Sequence, residues 1–354
     1  MTKHYKFPKI GQFNQAVRNV KSAHDFKGVD DDGKAIYVHD SDYPTVKYIG
    51  TTKLHGTNSA VFRHEDGAIV YQSRERIITP ESDNAGFATW FSYLDDNIKD
   101  ILLPETSGEF RAVGVFGEWC GGNIQKGVAI SGLPKMFVIF GIVFIDEPHT
   151  EHEDHHKYWN MDHHEFMDYF GEDNIQTLND NNIHLITQFP TYEVDVDFNK
   201  PEEASVKFSE ITEAIEKECP VGKAFGVSGI GEGAVWRPVG GEYTWFKVKG
   251  KKHSSSKVKT LAPVDIEKVK TVNEFVEKVV TDSRLEQGIN YLKEMEIPID
   301  IKSTGKYIKW VVNDIRTEEA ETMKESGLEM KDVGSALQAA IKPFWFKYVN
   351  TMEY

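Results

Sequence analysis

The chain has 354 residues, 40% hydrophobic and 27% charged, a composition ordinary for a globular protein and long enough for two domains. It has no run of 18 apolar residues and no leader-like apolar start, so neither membrane spanning nor secretion is expected. Its two cysteines, Cys120 and Cys219, cannot make a disulfide framework, and a cytoplasmic setting is the expectation. The net charge of −15 argues against indiscriminate adhesion to polyanions.

In chain order, the first pattern with chemical content is Lys53-Leu54-His55-Gly56-Thr57-Asn58, a lysine leading into a glycine-containing turn between two apolar, strand-like runs. Residues 59–63 and 68–73 read as strands of a hairpin closed by an Asp-Gly turn. Residues 88–102 read as one amphipathic helix, with Trp90, Phe91, Leu94, Ile98 and Leu102 at helical spacing. Residues 111–118 and 136–145 read as strands, the second apolar enough to be buried on both faces. A helix is expected from Pro201 through Ile211 and Ile215, then strands at 233–237 and 243–249.

After Pro263 the pattern turns helical, at 272–280, 284–295, 303–325 and 331–349. A boundary near 255–263 is expected, with an α+β domain at 1–258 and a small all-helical domain at 263–354.

A lysine attacks only after losing a proton, and its ordinary pKa near 10.4 makes that cost roughly 4–5 kcal/mol at neutral pH without help from neighbours. Nearby cations or a carboxylate-held metal ion supply that help. Glu118 ends an apolar strand in Phe116-Gly117-Glu118, and Glu232 sits in a glycine turn, Gly231-Glu232-Gly233, ahead of another strand. Basic groups come from Arg74, Arg237, Lys247 and Lys249; Lys247 and Lys249 alternate along a strand and so share a face. They open a stretch, 246–260, with six lysines and no acid, which suits a phosphate site but is also what a solvated loop looks like.

Trp119 and Trp236 read as packing residues, and Cys120 has no base beside it to make it a nucleophile. The histidines at 149, 152, 155, 156, 163 and 164 match no standard zinc spacing and read as a solvated insertion.

The motif order resembles the covalent nucleotidyltransferase superfamily of polynucleotide ligases and capping enzymes, and within it the RNA ligase 2 family of tailed phages. The resemblance rests on Lys53-Leu54-His55-Gly56, Ser73-Arg74, Phe116-Gly117-Glu118, Phe137-Val138-Ile139-Phe140, Glu232-Gly233-Ala234-Val235 and Phe246-Lys247-Val248-Lys249. It covers about residues 45–255. It implies an α+β fold, ATP-grasp-like, of antiparallel sheets and helices, and an ATP-dependent ligase that joins RNA ends with Mg²⁺ or Mn²⁺. No obligate protein partner is implied.

By that resemblance Lys53 takes AMP from ATP, Glu118 grips the ribose, Phe140 stacks on adenine and Glu232 binds the metal. Arg74, Lys247 and Lys249 contact phosphates, while Leu54, His55 and Asn58 act in or beside the nucleotide site. Thr52 and Gly141 depart from the pattern, standing where relatives often carry acids. A guanylyl-transferring capping enzyme, a DNA ligase or a catalytically silent RNA-binding relative share the superfamily.

Overall fold

The computed structural model describes residues 4–8, 10–39, 42–106, 110–145, 156–158, 163–240, 244–254 and 269–352. The strands are β1 (Phe26–Val29), β2 (Ala35–Tyr37), β3 (Thr45–Lys53), β4 (Thr57–His64), β5 (Ile69–Ser73), β6 (Ile77–Ile78), β7 (Ala112–Cys120), β8 (Met136–Ile145), β9 (His156–Tyr158), β10 (Ile183–Leu185), β11 (Thr191–Asp197), β12 (Gly233–Pro238) and β13 (Phe246–Lys249). The α-helices are α1 (Phe13–Asp25), α2 (Phe87–Ser92), α3 (Asp96–Leu102), α4 (His163–Phe170), α5 (Glu172–Asp180), α6 (Pro201–Lys217), α7 (Pro220–Ala224), α8 (Val272–Val279), α9 (Asp282–Glu294), α10 (Thr304–Glu318), α11 (Ala320–Glu325) and α12 (Met330–Met352).

Two sheets organise the α+β part. One has the order β11-β3-β12-β13; the other runs β10-β8-β7-β4-β5-β6, with β9 also on β8. The expected antiparallel arrangement holds except at β10, which pairs parallel to β8. The first sheet packs α1 and α6 on one face through Phe13, Val17, Phe208, Ile215, Trp236 and Phe246. Helix α6 begins as its sequence dictates, with Pro201 in the first turn, two acids beside it and Lys217 in the last turn. The second sheet buries one face against α2, α3 and their neighbours, and the other around Tyr5, Phe62, Phe116 and Val143. Trp119 and Trp236 are fully buried.

The chain crosses between the sheets at residues 54–56, from the end of β3 into β4. The lysine-bearing hexapeptide is therefore the crossover itself. The expected hairpin is present, with Gly67 at φ +80° and the Asp66 carboxylate accepting from the Ala68 amide.

Two expected helices are broken. The helix expected at 88–102 is α2 and α3, parted where Asp95 takes an extended conformation as an N-cap and Tyr93 turns to solvent. The apolar spacing survives because both pieces lie on one core. The helix expected at 303–325 breaks at Glu319, which is fully buried and accepts from the buried Arg284 guanidinium at 3.1 Å. Asp314 accepts from the same side chain at 2.9 Å.

Helices α8 to α12 enclose a core of their own around Phe275, Leu285, Tyr307, Leu337 and Trp345. They meet the sheets through polar contacts. Arg76 donates to the Glu294 carbonyl at 2.7 Å and pairs with Glu296 at 3.2 Å, and Asn290 donates to Gln125 at 3.1 Å. The expected boundary near 255–263 and the histidine side chains of 149–164 lie outside the described residues.

Candidate active site

Strand register puts three groups side by side. Gly233 on β12 pairs with Lys53 on β3 at one side and with Lys249 on β13 at the other. Glu232, one residue earlier and only 2% exposed, reaches both ammonium groups, Lys53 Nζ at 2.8 Å and Lys249 Nζ at 3.0 Å. His55 Nδ1 adds a third contact at 3.2 Å. Burial alone would raise the Glu232 pKa; Lys53, Lys249 and the His55 contact overcome it and hold the carboxyl well below its usual range. Position 233 has to be glycine, because its φ is +150° and a Cβ would stand 2.1 Å from the Val248 carbonyl oxygen.

The turn after Lys53 is held from the other sheet. Glu118 on β7, across from Asn58 on β4, accepts the Gly56 amide at 2.9 Å. Burial raises the Glu118 pKa, with the Lys53 charge pulling against it. At Gly56 a Cβ would lie 2.3 Å from the Trp119 carbonyl and 2.7 Å from Cys120 Cβ, both fixed by β7. Gly56→Ala is therefore expected to push the turn off β7 and lower the rate of Lys53 chemistry at least ~10²-fold. Single-turnover assays, with circular dichroism to verify folding, check this.

All ten residues singled out for the site, Lys53, Leu54, His55, Asn58, Arg74, Glu118, Phe140, Glu232, Lys247 and Lys249, line one cavity of about 1190 Å³. Leu54 does so with a difference: its side chain packs in the core beneath, and its carbonyl accepts from Lys53 at 3.4 Å. Arg74 is exposed at the rim. Phe140 is half-buried at a register shift between β7 and β8, where Phe116 pairs with Gly141 and Gly117 with Ile139. It is the residue left over by that bulge, which frees its ring from the pleat's alternation. Thr52 is buried in the same wall, and its hydroxyl, closed off from solvent, has no hydrogen-bond partner.

Lys247 shows the effect of burial reinforced by nearby cations. Burial pushes its pKa down to about 8, Glu318 opposes the shift, and the charges of Lys249, Arg74 and Lys53 reinforce it. A phosphate held by this ammonium is expected to bind about tenfold more weakly at pH 9 than at pH 7, since the charged fraction falls by that factor. Titrating the chain with α,β-methylene ATP at both pH values checks this, and Lys247→Arg should flatten the difference.

The sequence reading missed two walls. One is the segment before α1, through Tyr5, Phe7 and Ile10; the other is the helical part, through Asn290, Trp310, Asp314 and Glu318. Neither carries a local signature. Cys120 and Cys219 are buried, and burial raises both thiols, Cys120 well above its usual value, so neither is an activated nucleophile.

Among the described residues no group of three or more His, Cys, Asp or Glu side chains could hold a metal ion. Nearest Lys53 the carboxylates are Glu232, paired with cations on both oxygens, and Glu118; Glu75, Asp83, Glu294, Asp314 and Glu318 also line the cavity. That set does not fit a resident metal caged by protein. A divalent ion that kept most of its waters would need only one or two carboxylates, and Glu232 would be the first of them.

The sequence profile of the RNA ligase family matches residues 46–249, more than half of the chain, and the protein belongs to that family. No curated protein matches. Among solved structures, a mutant of the Naegleria gruberi RNA ligase with ATP and Mn is 18% identical, over 70% of this chain and 56% of that chain, with a TM-score of 0.40. The same ligase with PPi is 17% identical over 70% and 58%, with a TM-score of 0.41. The chain thus spans less than three fifths of the length of the ligase structures it matches. No helix among the described residues is long and apolar enough to cross a membrane.

Proposed function

We propose that this member of the family is an ATP-dependent ligase that joins 3′-hydroxyl and 5′-phosphate ends of RNA, with nicks in duplex RNA or RNA-containing duplexes as its substrate. The observation that supports it best is the convergence of Lys53, Lys249 and the buried Glu232 on one large cavity walled by both sheets. In this reading Lys53 Nζ attacks the α-phosphorus of ATP; an N–P bond forms, the α–β P–O bond breaks and pyrophosphate leaves. A 5′-phosphate oxygen of RNA then displaces the lysine to give RNA-adenylate. Attack by the 3′-hydroxyl on that 5′-phosphorus releases AMP and closes the strand.

Each step is an in-line displacement at phosphorus, for which positioned charge is the protein's main tool. Lys247, Lys249 and Arg74 supply positive charge at the phosphates. Glu118 holds the Gly56 turn and so the reach of Lys53, and its carboxylate lies in the cavity for a ribose hydroxyl. Phe140 offers a ring face to the base, His55 stands against Glu232, and Asn58 lies beside Glu118. Glu232 would hold Mg²⁺ or Mn²⁺, which when bound neutralises phosphate charge and relieves the carboxylate of its pairing with Lys53. Residues 1–258 form the adenylylating unit in this account. Residues 263–354 form a helical unit that closes one side of the cavity and contributes to RNA binding.

Incubation with α-labelled ATP and Mg²⁺, followed by nicked duplexes with RNA or DNA on either side of the break, tests the reading. An acid-labile protein adduct chased into RNA-containing products is expected. Label taken from GTP alone points to a capping-type guanylyltransferase, and equal sealing of all-DNA nicks to a DNA ligase.

A further inference from the structure

The described residues ahead of α1 run along the cavity wall and are fastened to both sheets. At its start the Tyr5 amide donates to Gln72 Oε1 at 3.1 Å, and the Tyr5 ring packs on Phe62 at 4.9 Å between centroids, so this end is tied to β4 and β5. At its far end Gly11 donates to the Trp245 carbonyl at 3.3 Å and accepts from the Lys247 amide at 3.0 Å, on β13. Between these anchors stands Phe7. Its ring meets Phe140 edge-on at 5.1 Å and 77°, Phe116 at 5.1 Å and 61°, and Trp245 at 5.8 Å and 67°. Phe7, Phe140 and Trp245 all line the cavity.

Two features make the Phe7–Phe140 contact more than general packing. Phe140 is the extra residue of the β7–β8 bulge, so the strand's alternation does not fix its ring and a neighbour has to. Next to it is Gly141, where an added Cβ would lie 3.1 Å from Phe7 Cε2. A side chain at 141 would therefore press on Phe7 and move its ring by a few tenths of an ångström or more.

We infer that Phe7 is a positioning residue of the nucleotide site: it holds the Phe140 ring through an edge-to-face contact, leaving a face for the base, and it crowds position 141. The inference rests on the reading above, in which Phe140 stacks on the base of ATP. Edge-to-face support adds to stacking but touches neither phosphate nor Lys53. It therefore appears in the concentration of ATP needed and not in the maximal rate.

The test is the ATP dependence of adenylate formation on the full-length chain, with thermal melting in parallel. Phe7→Leu keeps the apolar volume and loses the ring. It is expected to raise the KM for ATP about tenfold, near the upper limit for an aromatic pair, with the maximal rate changed less than twofold. Phe7→Tyr should restore the wild-type KM. Gly141→Val should reproduce the Phe7→Leu effect, and the two together should be no worse than either alone, since both act on one contact.

A Phe7→Leu chain with wild-type KM, or effects of the two substitutions that multiply, overturns the inference. Loss of melting temperature with no change in KM does the same. A wild-type chain that never forms an adenylate on Lys53 overturns the function and this inference together. An adenylating wild type with an unchanged Phe7→Leu variant overturns the inference alone.

Discussion

Lys53→Ala is expected to abolish the protein-bound adenylate, by at least ~10³-fold, while sealing of RNA that already carries a 5′-adenylate stays within about tenfold of wild type. The asymmetry follows from chemistry: only the first step needs the amine as nucleophile, and the last passes from a 3′-hydroxyl to phosphorus. Lys53 sits at the sheet crossover, 22% exposed, with its ammonium on Glu232. A rival amine in the same cavity is Lys247, whose pKa burial lowers to about 8. The variant decides between them. If Lys53→Ala still takes label and the label maps to position 247, the nucleophile has been misassigned. Loss of the pre-adenylated reaction in a folded variant would show that Lys53 also serves the later step.

Glu232→Ala is the second large effect, and it is twofold. Activity should fall at least ~10²-fold, because the group that arranges Lys53 and Lys249 is gone. Stability should fall as well. Glu232 is 2% exposed, while the lysines it pairs keep about a fifth of their side-chain exposure, 22% and 19%. Two ammonium groups and His55 would be left around a cavity without their anion. Breaking a fully buried pair costs about 3–5 kcal/mol, and partial solvation of the lysines brings the expectation to ~2–3 kcal/mol. At this chain length that is a drop of roughly 3–4 °C in melting temperature. Glu232→Gln, which keeps shape and one acceptor oxygen, should lose activity as fully but melt closer to wild type. A Glu232→Ala chain that melts like wild type and adenylates would remove the carboxylate from the account.

What could be read in advance is what short stretches encode. Lys53 through Asn58, Glu118 between an apolar strand and a glycine, and the alternation of Lys247 and Lys249 each announce themselves within a few residues. Their convergence on one cavity needed only the order of the motifs. The remainder depends on partners far apart in the chain. Nothing near Glu319 says that a helix will break there; the cause is Arg284, 35 residues earlier, which draws the carboxylate into the core. Nothing near Phe7 marks it as cavity wall, since its partners are Phe116, Phe140 and Trp245.

The segment Arg74-Glu75-Arg76 is equally mute about division of labour. Which arginine faces the cavity and which fastens the helical part depends on how the chain leaves β5. Arg74 stays at the rim, and Arg76 turns to Glu294 and Glu296. The parallel pairing of β10 with β8 is a fourth case, because three residues, Ile183–Leu185, carry no sign of strand direction.

The most direct measurement is mass spectrometry of the purified chain after exposure to ATP and Mg²⁺, intact and then as peptides. The account predicts a gain of about 329 Da, one adenylate, on the peptide that carries Lys53, reversed by pyrophosphate or by 5′-phosphorylated RNA. No gain under any nucleotide, or a gain on a different side chain, would contradict it.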